Sequence, residues 1–214
     1  MAYSSPVGTT YYISSTFAAA KTITVLTNAS PPVSTATSHG YADDDELLLN
    51  LGWEDITDTV VRANQLTADT FELTGLNTLN TDIFASGAGT GSAYKVSSWI
   101  EIPQILSISP QGGGPRTIQV RPIKRRQGII LPNGFEPASI TFTIGHDVSL
   151  TNWDTLMDIS RTDTKVAYKA VKGNGAATYG YGYFSVSEQV SQQSDNADTV
   201  QATFNALGRL ISYA

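Results

Sequence analysis

Tyr179–Leu210 reads YGYGYFSVSEQVSQQSDNADTVQATFNALGRL. Two chain-pairing segments flank the polar connection SQQSDNA. In the second, Val200, Ala202, Phe204 and Ala206 alternate with Gln201, Thr203 and Asn205, the period of a half-buried strand. In the first, tyrosines alternate with glycines from Tyr179 to Tyr183. Such alternation fits side-chain packing and close backbone approach; a platform on which bases or sugars stack is the alternative. The two segments therefore predict paired strands with an apolar face and a face of Ser, Thr, Gln and Asn.

Working upstream, KVAYKAV (Lys165–Val171) and the Tyr–Gly segment flank Gly173-Asn174-Gly175, a hairpin signal. SLTNWDTLMDISRT (Ser149–Thr162) predicts the one helix. Leu150, Trp153, Leu156, Met157 and Ser160 form its stripe, and Thr151 with Asp154 has capping-box spacing. ASITFTIGHD (Ala138–Asp147) reads as a strand. Pro110–Gly134, PQGGGPRTIQVRPIKRRQGIILPNG, holds four prolines, five glycines and five basic side chains. Proline removes ladder donors, so a long functional loop is expected here rather than a central strand.

Earlier in the chain, strands are expected at Thr9–Thr16, Lys21–Asn28, Val33–His39, Glu46–Leu51, Thr57–Gln65, Asp69–Gly75 and Ala93–Ser109, with a glycine-rich loop at Asn77–Ser92. Residues 1–95 carry three basic and ten acidic side chains, a net of −7. Residues 96–214 carry ten and nine, a net of +1, and the two add to the chain's −6. This break suggests two modules joined near residue 95. MAYSSPVGTT lacks a basic and an apolar region, so no signal peptide is expected, and no apolar run is long enough for a membrane helix.

The chain has no cysteine, which removes disulfide and thiolate-metal chemistry. HGYADDDELLLN (His39–Asn50) raises a metal site, but EF-hand spacing fails: from Asp43 the alternate positions are Asp45 and Leu47, and position six is Leu48. Adjacent aspartates on an extended chain point apart. The run is expected to be a solvated turn, with His39 a turn residue. His146 has no G-x-S-x-G partner, and the glycine-rich segments lack P-loop spacing. No catalytic residue, cofactor or metal is expected. Arg116, Arg121, Lys124, Arg125 and Arg126 are the most functional-looking group. In an acidic chain they suit a protein contact better than nucleic acid.

The order strand, long loop, strand, helix, hairpin, polar turn and terminal strand is carried by IPQILSISPQGGGPRTIQV, IILPNGFEPASITFTIGHD, WDTLMDI, VAYKAV and YGYFSVSEQVSQQSDNADTVQATFNALGRL. It resembles the tail tube proteins of long-tailed bacteriophages. STATSHGYADDDELLLNLGW and TADTFELTGLNT, within about Thr22–Val96, resemble a small β-barrel module of phage tail and structural proteins. The resemblance implies a mainly β chain: a tail-tube-type β-sandwich or barrel with one short α-helix, plus an inserted small β domain. Residues 1–22 and 97–214 would form the tube domain and 23–96 the insert.

The same resemblance implies a non-enzymatic virion protein. It would be assembled in the host cytoplasm into stacked, hexameric rings around a DNA channel, with tape measure, tail terminator and tail tip proteins as partners and no membrane partner. The basic loop would then be a stacking contact. The bore should be polar without cations, because Lys or Arg would hold phosphate. Ser185, Ser187, Gln189, Gln201, Thr203 and Asn205 are its candidates, and from Ser185 to Asn205 the charges are Glu188, Asp195 and Asp198 alone. Two other classes stay open: a β-rich adhesin for a glycan or protein, and a Mg²⁺-dependent hydrolase built on Asp43–Asp45.

Overall fold

The computed structural model describes residues 7–147, 149, 152–192 and 197–214. The chain is mainly β. It opens with β1 (Thr10–Ser14), then runs through β2 (Lys21–Ile23), β3 (Val25–Leu26), β4 (Val33–Thr35), β5 (Glu46–Leu51), β6 (Thr59–Gln65), β7 (Thr70–Leu73) and β8 (Gly91–Lys95). It continues with β9 (Ile100–Glu101), β10 (Ile105–Gly112), β11 (Pro115–Val120), β12 (Ile129–Phe135) and β13 (Ala138–Gly145). Last come the helix α1 (Trp153–Arg161), β14 (Lys165–Val171), β15 (Ala177–Val186), β16 (Thr199–Ala206) and β17 (Ile211–Tyr213). No helix of the described residues is long and apolar enough to cross a membrane.

Strands β2 to β8 form one sheet in the order β2-β8-β5-β6-β7-β4-β3. Its two edges are consecutive in the chain, separated by Thr24 alone, so the sheet curls into a small barrel. The segment ELLLNL is apolar at consecutive positions because both of its faces are buried. Leu47, Leu49 and Leu51 point into the barrel with Val61, Phe71 and Leu73. Leu48 points out, onto the other sheet. The glycine-rich stretch after β7 is tied down: Trp53 Nε1 donates to Ala85 O at 2.8 Å, and Asn28 Nδ2 donates to Thr78 O and Phe84 O.

The larger sheet runs β10-β13-β16-β15-β14-β1-β9, with β17 beside β15. One face buries Ile13, Phe142, Tyr168, Phe184 and Phe204 under Trp153, Leu156 and Met157 of α1. The helix forms where expected. Its N-cap is Asn152, which makes no side-chain cap bond, while Asp154 stays in the first turn, near the positive helix end. Leu150 and Thr151, the other expected stripe and cap residues, lie outside the described residues. Gly180 and Gly182 account for the Tyr–Gly alternation. A Cβ on Gly180 would lie 2.5 Å from Leu210, and one on Gly182 would lie 1.9 Å from the Asn205 carbonyl oxygen.

Three expectations need correcting. Ala93–Ser109 is not one strand but parts of three, because the chain crosses from barrel to sheet between Lys95 and Ile100 and turns at Gln104 (φ 49°). Residues 110–134 are not a loop. They finish β10 and then form the β11–β12 hairpin, Ile118 opposite Leu131 and Val120 opposite Ile129. Proline does exclude a central strand, but a two-stranded hairpin has only edges, where Pro115 and Pro132 are tolerated. The chain also has a strand after Leu210, β17, whose three residues were too few to show a period.

Candidate assembly surfaces

Opposite α1, the larger sheet carries an exposed face built by period-two alternation over four strands. Register places Ser109, Thr141, Thr203 and Ser185 in one row across β10, β13, β16 and β15. Gln111, Ser139, Asn205 and Tyr183 form the next row, and Ser107, Thr143 and Gln201 the one on the other side. None of these side chains carries a charge at neutral pH. Of the expected residues, Ser185, Gln201, Thr203 and Asn205 lie in this face. Ser187 continues it past β15, its N–H donating to Gln201 O at 2.8 Å, and Gln189 follows beyond the strand. Glu188 is held by Arg161 at the end of α1, at 3.0 Å. Asp198 Oδ2 accepts from Gln192 at 3.0 Å, and Asp195 lies outside the described residues. The contributions of β13 and β10 were missed by sequence reasoning, although the alternations SITFTI and ILSIS carried the signal.

The polar face ends laterally at β10, whose outer edge meets no strand among the described residues. In the other direction the same face continues with exposed Lys165 of β14, opposite Tyr183, and then turns apolar and dives under the barrel. Ala167, Ala177, Tyr179 and Tyr181 pack there against Leu48, Val60 and Val96.

The acidic run begins as an exposed turn at Asp43 and Asp44, as expected, and enters this junction at half-buried Asp45 and Glu46. Asp43 Oδ1 accepts the Gln65 N–H at 2.8 Å, and Asp44, 81% exposed, lies 3.7 Å from Arg62. Asp45 accepts the Ala42 N–H and pairs with Lys95 at 2.6 Å. Glu46 joins the two sheets. Its Oε1 accepts from Lys169 at 2.6 Å and from the Tyr179 hydroxyl at 2.8 Å, and its Oε2 accepts from Trp99 Nε1 at 2.5 Å. Arg62 donates to the Tyr179 oxygen through Nε and Nη2, at 3.0 and 2.9 Å. The Tyr213 hydroxyl accepts from the Arg62 N–H and donates to Thr74 O. Burial raises the pKa of Tyr179, more than Arg62's hydrogen bond lowers it. Among the described residues, no three His, Asp or Glu side chains gather where they could hold a metal.

His39 follows the turn at residues 37–38, and it is also buried. It is 2% exposed, its Nδ1 accepts the Tyr41 N–H at 2.9 Å, and its Nε2 bonds Thr67 O at 3.0 Å. His146 lies edge-on to Trp153.

The basic residues Arg116, Arg121, Lys124, Arg125 and Arg126 all lie on the β11–β12 hairpin and its tip, exposed and with no ion pair among the described residues. Among the described residues the hairpin pairs only with itself. One of its faces carries Ile118, Val120, Ile129 and Leu131, and Ile123 stands wholly exposed at the tip.

The described residues thus leave an open strand edge, an uncharged polar face and a projecting arm. No curated protein matches the chain. Among solved structures, the SPP1 tail tube, in a hybrid structure by solid-state NMR and cryo EM, is similar at 15% identity. That match covers 56% of this chain and 70% of the other, with a TM-score of 0.43. A family model described as phage tail tube protein matches residues 51–214, a span that opens at the end of β5 and takes in all of the larger sheet except β1. The chain therefore belongs to the phage tail tube protein family, structural components of the virion tail rather than enzymes.

Proposed function

We propose that the uncharged face of β10, β13, β16 and β15 lines the bore of a tube of stacked six-membered rings through which DNA passes. The observation that carries this is the coincidence of that face with the open edge at β10. Neighbouring copies that continue the sheet edge to edge remove their own open ladders and bring their polar faces together around one axis. Hydroxyls and amides hydrate the wall without holding phosphate, whereas lysine or arginine would bind it. Six copies with four strands each, at about 4.8 Å spacing and about 40° tilt, close at a backbone radius of roughly 24 Å. Four copies close at roughly 16 Å, which side chains would narrow to about the radius of a duplex itself.

In this reading residues 1–22 and 97–214 are the tube domain and 23–96 is an inserted barrel. The basic hairpin reaches an acidic surface of a neighbouring copy, and tape measure, terminator and tip proteins meet the finished tube, assembled in the host cytoplasm. Electron microscopy of the purified protein tests the core of the reading. Rings or tubes with a bore wider than a duplex are expected, and a variant carrying Arg125→Glu and Arg126→Glu should stay folded but polymerise poorly. Monomers at every concentration and salt condition would overturn it.

A further inference from the structure

The hairpin tip presents a side chain with nothing to touch. Ile123 is wholly exposed, between Pro122 and the run Lys124, Arg125 and Arg126. Eight residue steps separate it from the base of β11 at Pro115, a reach of roughly 26 Å in an extended strand. Ile118, Val120, Ile130, Leu131 and Phe135 of the same hairpin are also exposed, so the arm carries more apolar surface than one scattered side chain would.

Elsewhere, a groove of about 570 Å³ opens where the barrel meets the chain end. Its floor is Ile56, Leu76 and Phe84, and its rim includes Leu79 and Ile83, which are 60% and 54% exposed. Asp55 lines it, and exposed Asp82 stands between the lining residues Asn80 and Ile83. Arg209 contributes the one cation among the lining residues. The groove thus offers apolar side chains at its floor and rim within a partly polar wall, with the carboxylate of Asp55 in its lining and that of Asp82 next to it, a setting that can take an isoleucine followed by basic side chains.

We propose that Ile123 of one copy seats in the Ile56–Leu79–Ile83–Phe84 groove of another copy, with Lys124, Arg125 and Arg126 set against Asp55 and Asp82. The occupant is a second copy of this chain. Knob and slot are different surfaces of one molecule, so every copy offers one of each and the contact propagates instead of closing a pair. Each ion pair is weak alone, but a ring repeats it. The proposal deepens the tube reading: it names the surface that receives the basic hairpin.

The absence of cysteine allows a clean test. The variant carrying both Ile123→Cys and Ile83→Cys has thiols nowhere else. Oxidation of its assembled form with copper phenanthroline should give a covalent ladder of three or more copies. A mixture of the two single variants should give a dimer. A control pairing Ile123→Cys with Leu66→Cys, an exposed site in the β6–β7 turn, should give no ladder. In a second arm, Ile123→Asp should leave the melting temperature of the free subunit unchanged and raise the concentration needed for assembly at least tenfold. Tubes that form normally but give no ladder, or a ladder equally strong in the control, would overturn the contact while leaving the tube reading intact. An Ile123→Asp variant that assembles like the parent would do the same. Failure of the parent chain itself to assemble would overturn both.

Discussion

Replacing Tyr179 by phenylalanine removes one oxygen atom and three hydrogen bonds at the junction of barrel and sheet. That oxygen accepts from Arg62 twice and donates to Glu46, whose side chain is only 16% exposed. A hydrogen bond to a charged group contributes about 1.5–3 kcal/mol. The three share one atom and do not add. The ring also remains, with Arg62 5.4 Å from its centroid, and Glu46 keeps Lys169 and Trp99. The expected loss is therefore about 3 kcal/mol, equivalent to roughly 6–12 °C in melting temperature for a chain of this size. Urea unfolding followed by tryptophan fluorescence measures it, since Trp99 reports on the junction directly. Tyr41→Phe is the control: its hydroxyl makes one bond, to the neutral Ala93 carbonyl at 2.9 Å, and its removal should cost about 1 kcal/mol. A Tyr179→Phe loss no larger than the control's would refute the idea that this network holds the two sheets together.

Alkali should unfold the protein from about pH 10 upward. Burial raises the tyrosine pKa at Tyr41 to about 12, and also at Tyr168 and Tyr179. Above pH 10 the unfolded chain releases these protons while the folded chain keeps them, so stability present below pH 10 is lost as pH rises, at up to about 1.4 kcal/mol per pH unit for each group. Circular dichroism and phenolate absorbance should change together, and ionisation of all tyrosines with the fold intact would contradict this. Gly182→Ala should cost about 3 kcal/mol or more, because its Cβ meets a backbone oxygen, whereas Gly114→Ala, with open space around it, should change stability by under about 0.5 kcal/mol; equal melting points would remove the explanation of the Tyr–Gly pattern. Asp45→Asn should cost about 1–2 kcal/mol through Lys95 and the Ala42 N–H, while Asp44→Asn, exposed and at φ 63°, should be neutral; thermal melts that rank them the other way would refute the anchoring role of Asp45.

Much of the polar face is legible in the order of residues. Gln201, Thr203 and Asn205 alternate with Val200, Ala202 and Phe204, and a strand's side chains change face at every residue, so their common side follows from order alone. The same local rule locates α1 and strand β5. It does not say that β10 and β13 extend the face, because register between strands separated by tens of residues is set by pairing, not by period. Nor does it separate a loop from a projecting hairpin at Pro110–Gly134, where proline is forbidden or tolerated according to whether a neighbouring strand exists. The Glu46 network is invisible to it for the same reason. Residues 46, 62, 99, 169, 179 and 213 are scattered along the chain, and only folding brings them within hydrogen-bond range. Composition, charge, the faces of individual strands and the family pattern are properties of neighbours in the chain, and the amino-acid order settles them. Which faces are covered, which edge stays open and which charges are shared between sheets are settled only by the folded chain, because burial and hydrogen bonding depend on distances in space.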